Sequence, residues 1–370
     1  LGALAVASNL TVTAGGAATN SGTLVVPGTA TISASGYNVT LNTATNNFGT
    51  AVLTGADVSI RDTNAIILGA STVSGTYTVT AGGAVTDSGT QEITGVTTIS
   101  ASSQEVTLNT ATNNFADEVR ITGAAITLVD EDAIDLGAST VSGNYTVTAG
   151  GNITDSGTVS VGGALAATTD ANSGSIDLGD LEVNGTIALT THSGGAATVV
   201  NDAGINFAAS TVRGALSATA TTGNMTDSGA LTVSGTSTFV TIANDATITL
   251  DQGGHTFTGA LLITTNDASP DTAGDVTISA GSGAVLDFGD STIDGDLVAT
   301  SSNTTGIIDS GAMTVRGTAS FRTTAANADI SLGTSTLGDG TGTDTITLNT
   351  TGSGGDATLD NGTTAVVLGT

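Results

Sequence analysis

The segment LGASTVSGTYTVTAGGAVTDSG, residues 68–89, returns almost unchanged as LGASTVSGNYTVTAGGNITDSG at residues 136–157. Within it, apolar residues alternate with threonine, as in YTVT at residues 77–80. A period of two is typical of a β-strand with one buried face. The pairs GG at 82–83 and SG at 88–89 follow such strands and suit tight turns. The segment therefore predicts short strands joined by tight turns and repeated along the chain.

Three markers define a long internal repeat. NTATNNF occurs at residues 42–48 and 109–115, and TVTAGG starts at Thr11, Thr78 and Thr146. LGAST weakens to FAAST at 207 and FGDST at 288. These markers predict sub-repeats over residues 1–67, 68–135, 136–206, 207–287 and 288–367, with 368–370 starting a further repeat. No linker rich in proline, serine or charge separates them, so residues 1–370 are predicted to form a single continuous array.

The strand pattern and the repeat length together favour one fold class. Three coils in one repeat give about 22 residues per coil, a circuit of three short strands and three turns. We expect an all-β fold, a right-handed parallel β-helix (β-solenoid) that forms a continuous rod. The alternation places Val79 and Leu108 inward and Thr78 and Thr107 toward water. The alternatives are antiparallel sandwiches and tandem immunoglobulin-like domains, which would be thin in units of about 70 residues without tryptophan.

The composition fits a narrow core. The 370 residues include 74 threonines and 52 glycines, but only 7 phenylalanines and 3 tyrosines. Since hydrophobic residues make up 38% of the chain, valine, isoleucine, leucine and alanine must fill most of the interior. Threonine is β-branched and favours extended structure over long helices.

The charge balance narrows the set of partners. Five arginines against 33 acidic residues give a net charge of −28, and the chain has no cysteine for disulfides. Such a surface repels phosphate backbones and anionic bilayers. We therefore expect no binding to nucleic acid and no direct insertion into a membrane.

The ends of the sequence carry no atypical capping coil. Residues 365–368, AVVL, are as apolar as an interior strand. We expect the sequence to be a window on a longer array, which continues in the same chain or stacks end to end with identical copies.

The succession of LGAST, TVTAGG, TDSG and NNF resembles the long repeat regions of filamentous-haemagglutinin-like exoproteins and giant bacterial β-strand-repeat surface proteins. The resemblance covers essentially the whole chain, and most clearly residues 1–157. It implies a secreted bacterial β-helix that is extracellular or attached to the cell surface. The motifs specify turns and inward strands, so the resemblance implies no chemistry.

Catalytic residues are not evident in the pattern. Parallel β-helices can hold paired carboxylates that cleave polysaccharides, and the chain is rich in aspartate. These aspartates are scattered through turns, and the five arginines are spread over four of the five repeats. The two histidines, His192 and His255, occupy different positions of their repeats, and we predict both as exposed turn residues. We therefore predict that the protein is not an enzyme.

Calcium is the one cofactor that the sequence suggests. DGTGTD at residues 339–344 is similar to one copy of the calcium-binding nonapeptide of repeats-in-toxin proteins, with Asp339 and Asp344 as the candidate metal ligands. Oxygen-rich segments at 130–132 and 266–275, the latter with Asp271, are weaker candidates. Tandem copies normally build the nonapeptide site, and DGTGTD is also ordinary turn chemistry in this chain. Ice binding is a further alternative, although TVT recurs only once in roughly three coils.

Two classes of function remain at this point. The first is a structural and adhesive extracellular protein, the shaft of a bacterial surface adhesin or filament. Its partners would be other cells, surfaces or glycans, or further copies of itself, end to end or side by side. The second is a carbohydrate-active β-helix enzyme, and calcium- or ice-binding solenoids are less favoured. An enzyme should contain one coil that breaks the pattern with clustered acids and a cation, and the sequence favours the structural class.

Overall fold

The computed structural model describes residues 1–170, 173–268, 273–339 and 343–369. Within these ranges the chain contains β-strands and no helix, and hence no helix of the length and apolarity needed to cross a membrane. The pairs that its strands form there are parallel, and successive partners follow one another along the chain as the coils of a β-solenoid. The predicted parallel β-helix is confirmed. Its right-handedness and its continuity as one rod stay predictions.

The chain divides into two compact units, Leu1–Gly185 and Thr186–Thr370. The strands of the first unit are β1 (Leu4–Ala5), β2 (Leu10–Thr13), β3 (Ala18–Thr19), β4 (Leu24–Ser33), β5 (Val39–Leu41), β6 (Asn47–Gly55), β7 (Val58–Asp62), β8 (Ile66–Leu68), β9 (Ser71–Val73), β10 (Tyr77–Ala81), β11 (Val85–Asp87), β12 (Gln91–Ile93), β13 (Thr97–Ser100), β14 (Val106–Leu108), β15 (Asn114–Phe115), β16 (Val119–Gly123), β17 (Ile126–Asp130), β18 (Ile134–Leu136), β19 (Ser139–Val141), β20 (Tyr145–Ala149), β21 (Ile153–Asp155), β22 (Val159–Val161), β23 (Leu165–Thr169) and β24 (Ile176–Val183).

The strands of the second unit are β25 (Thr186–Thr190), β26 (Ala197–Asn201), β27 (Ile205–Phe207), β28 (Ser210–Val212), β29 (Leu216–Ala220), β30 (Met225–Asp227), β31 (Leu231–Val233), β32 (Ser237–Asn244), β33 (Ile248–Phe257), β34 (Leu261–Asn266), β35 (Val276–Ala280), β36 (Leu286–Phe288), β37 (Ser291–Ile293), β38 (Leu297–Ser301), β39 (Gly306–Asp309), β40 (Met313–Val315), β41 (Ala319–Ala326), β42 (Asp329–Leu332), β43 (Ser335–Leu337), β44 (Ile346–Thr351) and β45 (Ala357–Leu359).

The ladder through β7, β10, β13 and β16 gives the coil length in the first unit. Tyr77 pairs with Val58 on one side and with Thr97 on the other, and Thr97 pairs with Val119. Successive coils in this ladder are thus 19, 20 and 22 residues apart. The expected coil of about 22 residues is close to these values.

The sequence repeat and the structural coil do not keep the same phase. Tyr77 and Tyr145 open the same YTVTA strand in neighbouring repeats, yet Tyr77 lies in the ladder β7–β10–β13 and Tyr145 in the ladder β17–β20–β23. From β10 the chain passes β13, β16 and β19 in one ladder before it reaches β20 on the next face. One repeat therefore holds three coils and one further strand, so equivalent motifs move to a different face.

The core lies inside the coils. Val79 and Leu108 are fully buried, and Thr78 and Thr107 are half-buried on the outer face, which confirms the predicted register. In the second unit, Phe207, Phe239 and Phe257 form a buried column with ring centroids 6.1 and 6.0 Å apart. Edge-to-face pairs of this kind add to the burial of the rings.

The double-glycine turns allow neighbouring coils to approach closely. A β-carbon added at Gly150 would collide with the carbonyl oxygen of Glu131 in the preceding coil, and one at Gly82 would collide with that of Thr63. Only glycine lets the backbones pass at this distance, which explains the GG of TVTAGG.

Candidate functional site

The serine of LGAST binds the backbone of the preceding coil. Ser139 Oγ accepts a hydrogen bond from the N–H of Ile121 at 3.0 Å and donates one to the carbonyl oxygen of Gly137 at 2.9 Å. Strand β16 pairs with β18 at Val119 and with β19 from Thr122 onward, so Ile121 lies where the ladder is interrupted. The buried hydroxyl satisfies the N–H that this interruption leaves without a carbonyl.

The same arrangement recurs at the other copies of this marker. The acceptor serines and their N–H donors are Ser71 with Leu53 at 3.1 Å, Ser210 with Leu189 at 3.0 Å, and Ser291 with Ile263 at 3.1 Å. Each of these serines is buried, so the marker has a structural role in every copy.

The aspartate of TDSG binds the following coil. The carboxylate of Asp155 accepts hydrogen bonds from the backbone N–H groups of Gly179 at 2.9 Å and Asp180 at 2.8 Å. Burial raises the pKa of Asp155, although both hydrogen bonds act to lower it. Equivalent pairs of N–H donors are Asn109 and Thr110 to Asp87, Asp251 and Gln252 to Asp227, and Gly333 and Thr334 to Asp309.

An asparagine completes this cluster in the first unit. Asn113 Oδ1 accepts from the backbone N–H of Gln91 at 2.9 Å, and its Nδ2 donates to Asp87 at 2.7 Å. Asn46 accepts in the same way from the N–H of Leu24 at 2.9 Å. Asn113 thus connects a backbone amide to the TDSG aspartate within the interior of the solenoid.

His255 takes the place of this asparagine in the second unit. Its Nδ1 accepts a hydrogen bond from the backbone N–H of Leu231 at 2.9 Å. Its Nε2 lies 3.0 Å from Oδ2 of Asp227, and both side chains are completely buried. This second contact is an ion-pair distance without the alignment of a good hydrogen bond.

The prediction that His255 is an exposed turn residue is wrong, because it lies in β33 with its ring stacked on Phe257 at 5.5 Å. His192 lies exposed in a turn, as predicted. The relevant sequence signal was the distance from the TDSG aspartate. Asn113 follows Asp87 by 26 residues and His255 follows Asp227 by 28, and the longer turn conceals the equivalence.

The geometry of His255 limits what it can do chemically. One ring nitrogen accepts from Leu231 and the other faces Asp227, so neither is directed at a substrate. Burial lowers the pKa of His255, while the carboxylates of Asp227 and Asp251 oppose that shift. The pair therefore holds two coils together with a neutral imidazole.

A second kind of buried carboxylate follows the NNF marker. Asp130 Oδ2 accepts from the N–H of Phe115 and Oδ1 from that of Asp132, both at 2.8 Å. Burial raises the pKa of Asp130 to about 6. Asp62 makes the equivalent contact to the N–H of Phe48 in the first repeat. Asp130 belongs to the segment 130–132, a weaker candidate for calcium, and its carboxylate oxygens accept hydrogen bonds from backbone amides instead.

The candidate calcium ligands Asp339 and Asp344 lie at the two ends of one loop. Asp344 Oδ2 accepts a hydrogen bond from the backbone N–H of Asp339 at 3.1 Å. Residues 340–342 between them, like Asp271 and Thr370, lie outside the described residues. In the part of the chain that the structure describes, no three histidine, aspartate or glutamate side chains gather into a metal site. Asp339 and Asp344 stay candidate calcium ligands.

The comparisons with known proteins agree with the repeat architecture. A family model described as "Repeats of unknown function (DUF5649)" matches five successive segments, residues 1–54, 55–122, 123–190, 194–264 and 273–336. No curated protein and no solved structure matches the chain. Since these segments span most of its length, the chain belongs to the family of repeats of unknown function DUF5649.

Proposed function

We propose that the chain is a structural and adhesive repeat protein, the shaft of a bacterial surface adhesin or filament that lies outside the cell. One observation carries this proposal. The marker side chains Ser139, Asp155 and Asn113 direct their polar atoms at the backbone of a neighbouring coil. The repeated markers thus stabilise the stacking of the coils, which is what a spacer requires.

The outer face supports contacts with other surfaces rather than with polyanions. Threonines such as Thr78 and Thr107 cover the strands, and a net charge of −28 keeps such a chain soluble and away from phosphate. The partners that suit this surface are other cells, glycans and further copies of the chain, side by side or end to end. The resemblance to filamentous-haemagglutinin-like exoproteins points in the same direction.

Electron microscopy of intact cells that make the protein tests its location. Gold-labelled antibodies raised against the chain should bind the outside of intact cells or the filaments that they shed. Labelling that appears only after the cells are permeabilised would contradict the proposal.

A second assay separates the shaft from a polysaccharide-cleaving enzyme. The purified chain, incubated with a panel of neutral and acidic polysaccharides, should release no reducing ends above the rate of a heat-denatured sample. Release of reducing ends that depends on the folded chain would replace the structural function by an enzymatic one.

A further inference from the structure

His255 is the titratable member of a set of otherwise neutral side chains. The residues in this set each accept one backbone N–H from the preceding coil. Asn46, Asn113 and Asn361 accept at Oδ1 from Leu24, Gln91 and Leu337, respectively, and His255 accepts at Nδ1 from Leu231. An amide oxygen accepts at any pH, whereas an imidazole nitrogen accepts only while it is unprotonated. The coil that His255 joins can therefore respond to acid in a way that the coils joined by these asparagines cannot.

The position of the proton follows from the contacts. Because the N–H of Leu231 points at Nδ1, the single proton of the neutral ring belongs on Nε2, which faces Asp227. A second proton would have to enter at Nδ1. Two donors would then face each other, and the N–H of Leu231 would lose this acceptor in a dry interior.

The surroundings of the ring hold few other charges. Asp227 on β30 contacts Nε2, and Asp251 on the histidine's own strand β33 acts from a greater distance. The neighbouring strands β31, β32 and β35 carry no titratable side chain, and Phe257 covers one face of the ring. Asp227 would retain the imidazolium, so the contact that protonation breaks is the one to Leu231.

We propose that His255, Asp227 and Leu231 form an acid-sensitive clasp, in which uptake of a proton at Nδ1 releases the amide of Leu231 and loosens β31 from β33. The inference concerns a conformational response of the second unit and does not depend on the proposed shaft function. It confines the response to one coil, because Asn113 holds the equivalent contact in the first unit without titrating.

The direction of the pH dependence follows from burial. Burial lowers the pKa of His255 below its ordinary 6.5. Between 6.5 and that lowered value the unfolded chain binds a proton that the folded chain does not, so the free energy of unfolding falls as the pH falls. The clasp is thus closed at neutral pH and opens in acid.

Hydrogen exchange at single amides tests the clasp directly. The protection of the Leu231 amide, corrected for the intrinsic exchange rate, should be constant near neutral pH and then fall by about tenfold per pH unit in acid. The amide of Gln91, which Asn113 holds, is the control in the same chain and should keep its protection over this range. Equal loss at Leu231 and Gln91, or no loss at Leu231 before the chain unfolds, would overturn the proposal.

His255→Asn is the matched variant. Asparagine at this position can accept from Leu231 and donate to Asp227, as Asn113 does for Gln91 and Asp87. The variant should keep the protection of Leu231 in acid. An acid-dependent loss in His255→Asn equal to that of the wild type would also overturn the proposal. If the variant does not fold, the comparison of Leu231 with Gln91 in the wild-type chain decides the question alone.

Discussion

At each LGAST marker, one serine hydroxyl accepts the backbone N–H that an interruption of the β-ladder leaves without a carbonyl acceptor. Ser139 is 3% exposed, and its Oγ accepts a hydrogen bond from the N–H of Ile121, which has no partner in β18 or β19. The sequence predicts a turn at this marker, but it does not identify the serine as buried. That identification needs the position of Ile121, 18 residues away, and hence the length of the coil.

Replacing this serine should be costly. Ser139→Ala leaves a buried N–H without an acceptor, and we expect a loss of about 1–3 kcal/mol in the free energy of unfolding. Ser142→Ala removes an exposed hydroxyl three residues away and should change stability by less than about 0.5 kcal/mol. Urea denaturation of the two variants measures both values, and equal losses would refute the role of the Ser139 hydroxyl.

Asp130 should give part of the stability an unusual pH dependence. With a folded pKa of about 6 against an ordinary 3.8, the folded chain holds a proton that the unfolded chain has lost. Its contribution to stability is therefore present at low pH and declines as the pH rises from 3.8 to about 6. In Asp130→Asn this decline should vanish from the denaturation midpoints.

The control for Asp130 removes the same charge from the surface. Asp117 is exposed two residues beyond the NNF marker, and Asp117→Asn should retain the decline of the wild type. If both variants follow the same pH profile, the decline belongs to the overall charge of the chain and not to Asp130.

The strands were the most predictable elements. Alternation of apolar residues and threonine is a local pattern, so the inward position of Val79 and Leu108 follows from the sequence alone. The sequence does not predict the buried position of His255, because the neighbouring strands β30 and β31 set its environment. The lengths of the turns decide which residues meet across coils, and the local periodicity of the sequence does not predict these lengths.

A negative charge should destabilise the chain far more on the inner face of strand β10 than on its outer face. Val79→Asp buries an unpaired carboxylate and should cost several kcal/mol, whereas Thr78→Asp faces water and should cost less than about 1 kcal/mol. Thermal melts of the two variants compare them within the same strand. Equal losses would refute the inward position of Val79 and the outward position of Thr78.

The loop that holds Asp339 and Asp344 permits a test for calcium. Asp344 already accepts from the amide of Asp339, and we expect calcium and magnesium to raise the melting temperature equally at fixed ionic strength, by screening alone. A larger rise with calcium that Asp344→Asn abolishes would instead establish a site in this loop.

At the scale of the whole molecule, one sequence repeat is not a whole number of coils, because it holds three coils and one further strand. Equivalent residues such as Tyr77 and Tyr145 therefore lie in different ladders. The number of repeats can be counted in the sequence. The extra strand in each repeat cannot be predicted from the sequence, because it depends on the number of residues in each turn.

Successive coils pair in parallel at a spacing of about 20 residues. Engineered cysteines test this pairing most directly, because the chain has no cysteine of its own. Thr78 and Thr98 are direct partners on the outer face, about 4.8 Å apart and within reach of a disulfide. Thr78 and Ser100 would be partners only if the coil were longer by two residues. Under mild oxidation of the folded chain, the pair Thr78→Cys with Thr98→Cys should close without loss of the melting temperature, while Thr78→Cys with Ser100→Cys stays reduced. Closure of the second pair and not of the first would contradict the pairing of Thr78 with Thr98 and hence the coil register.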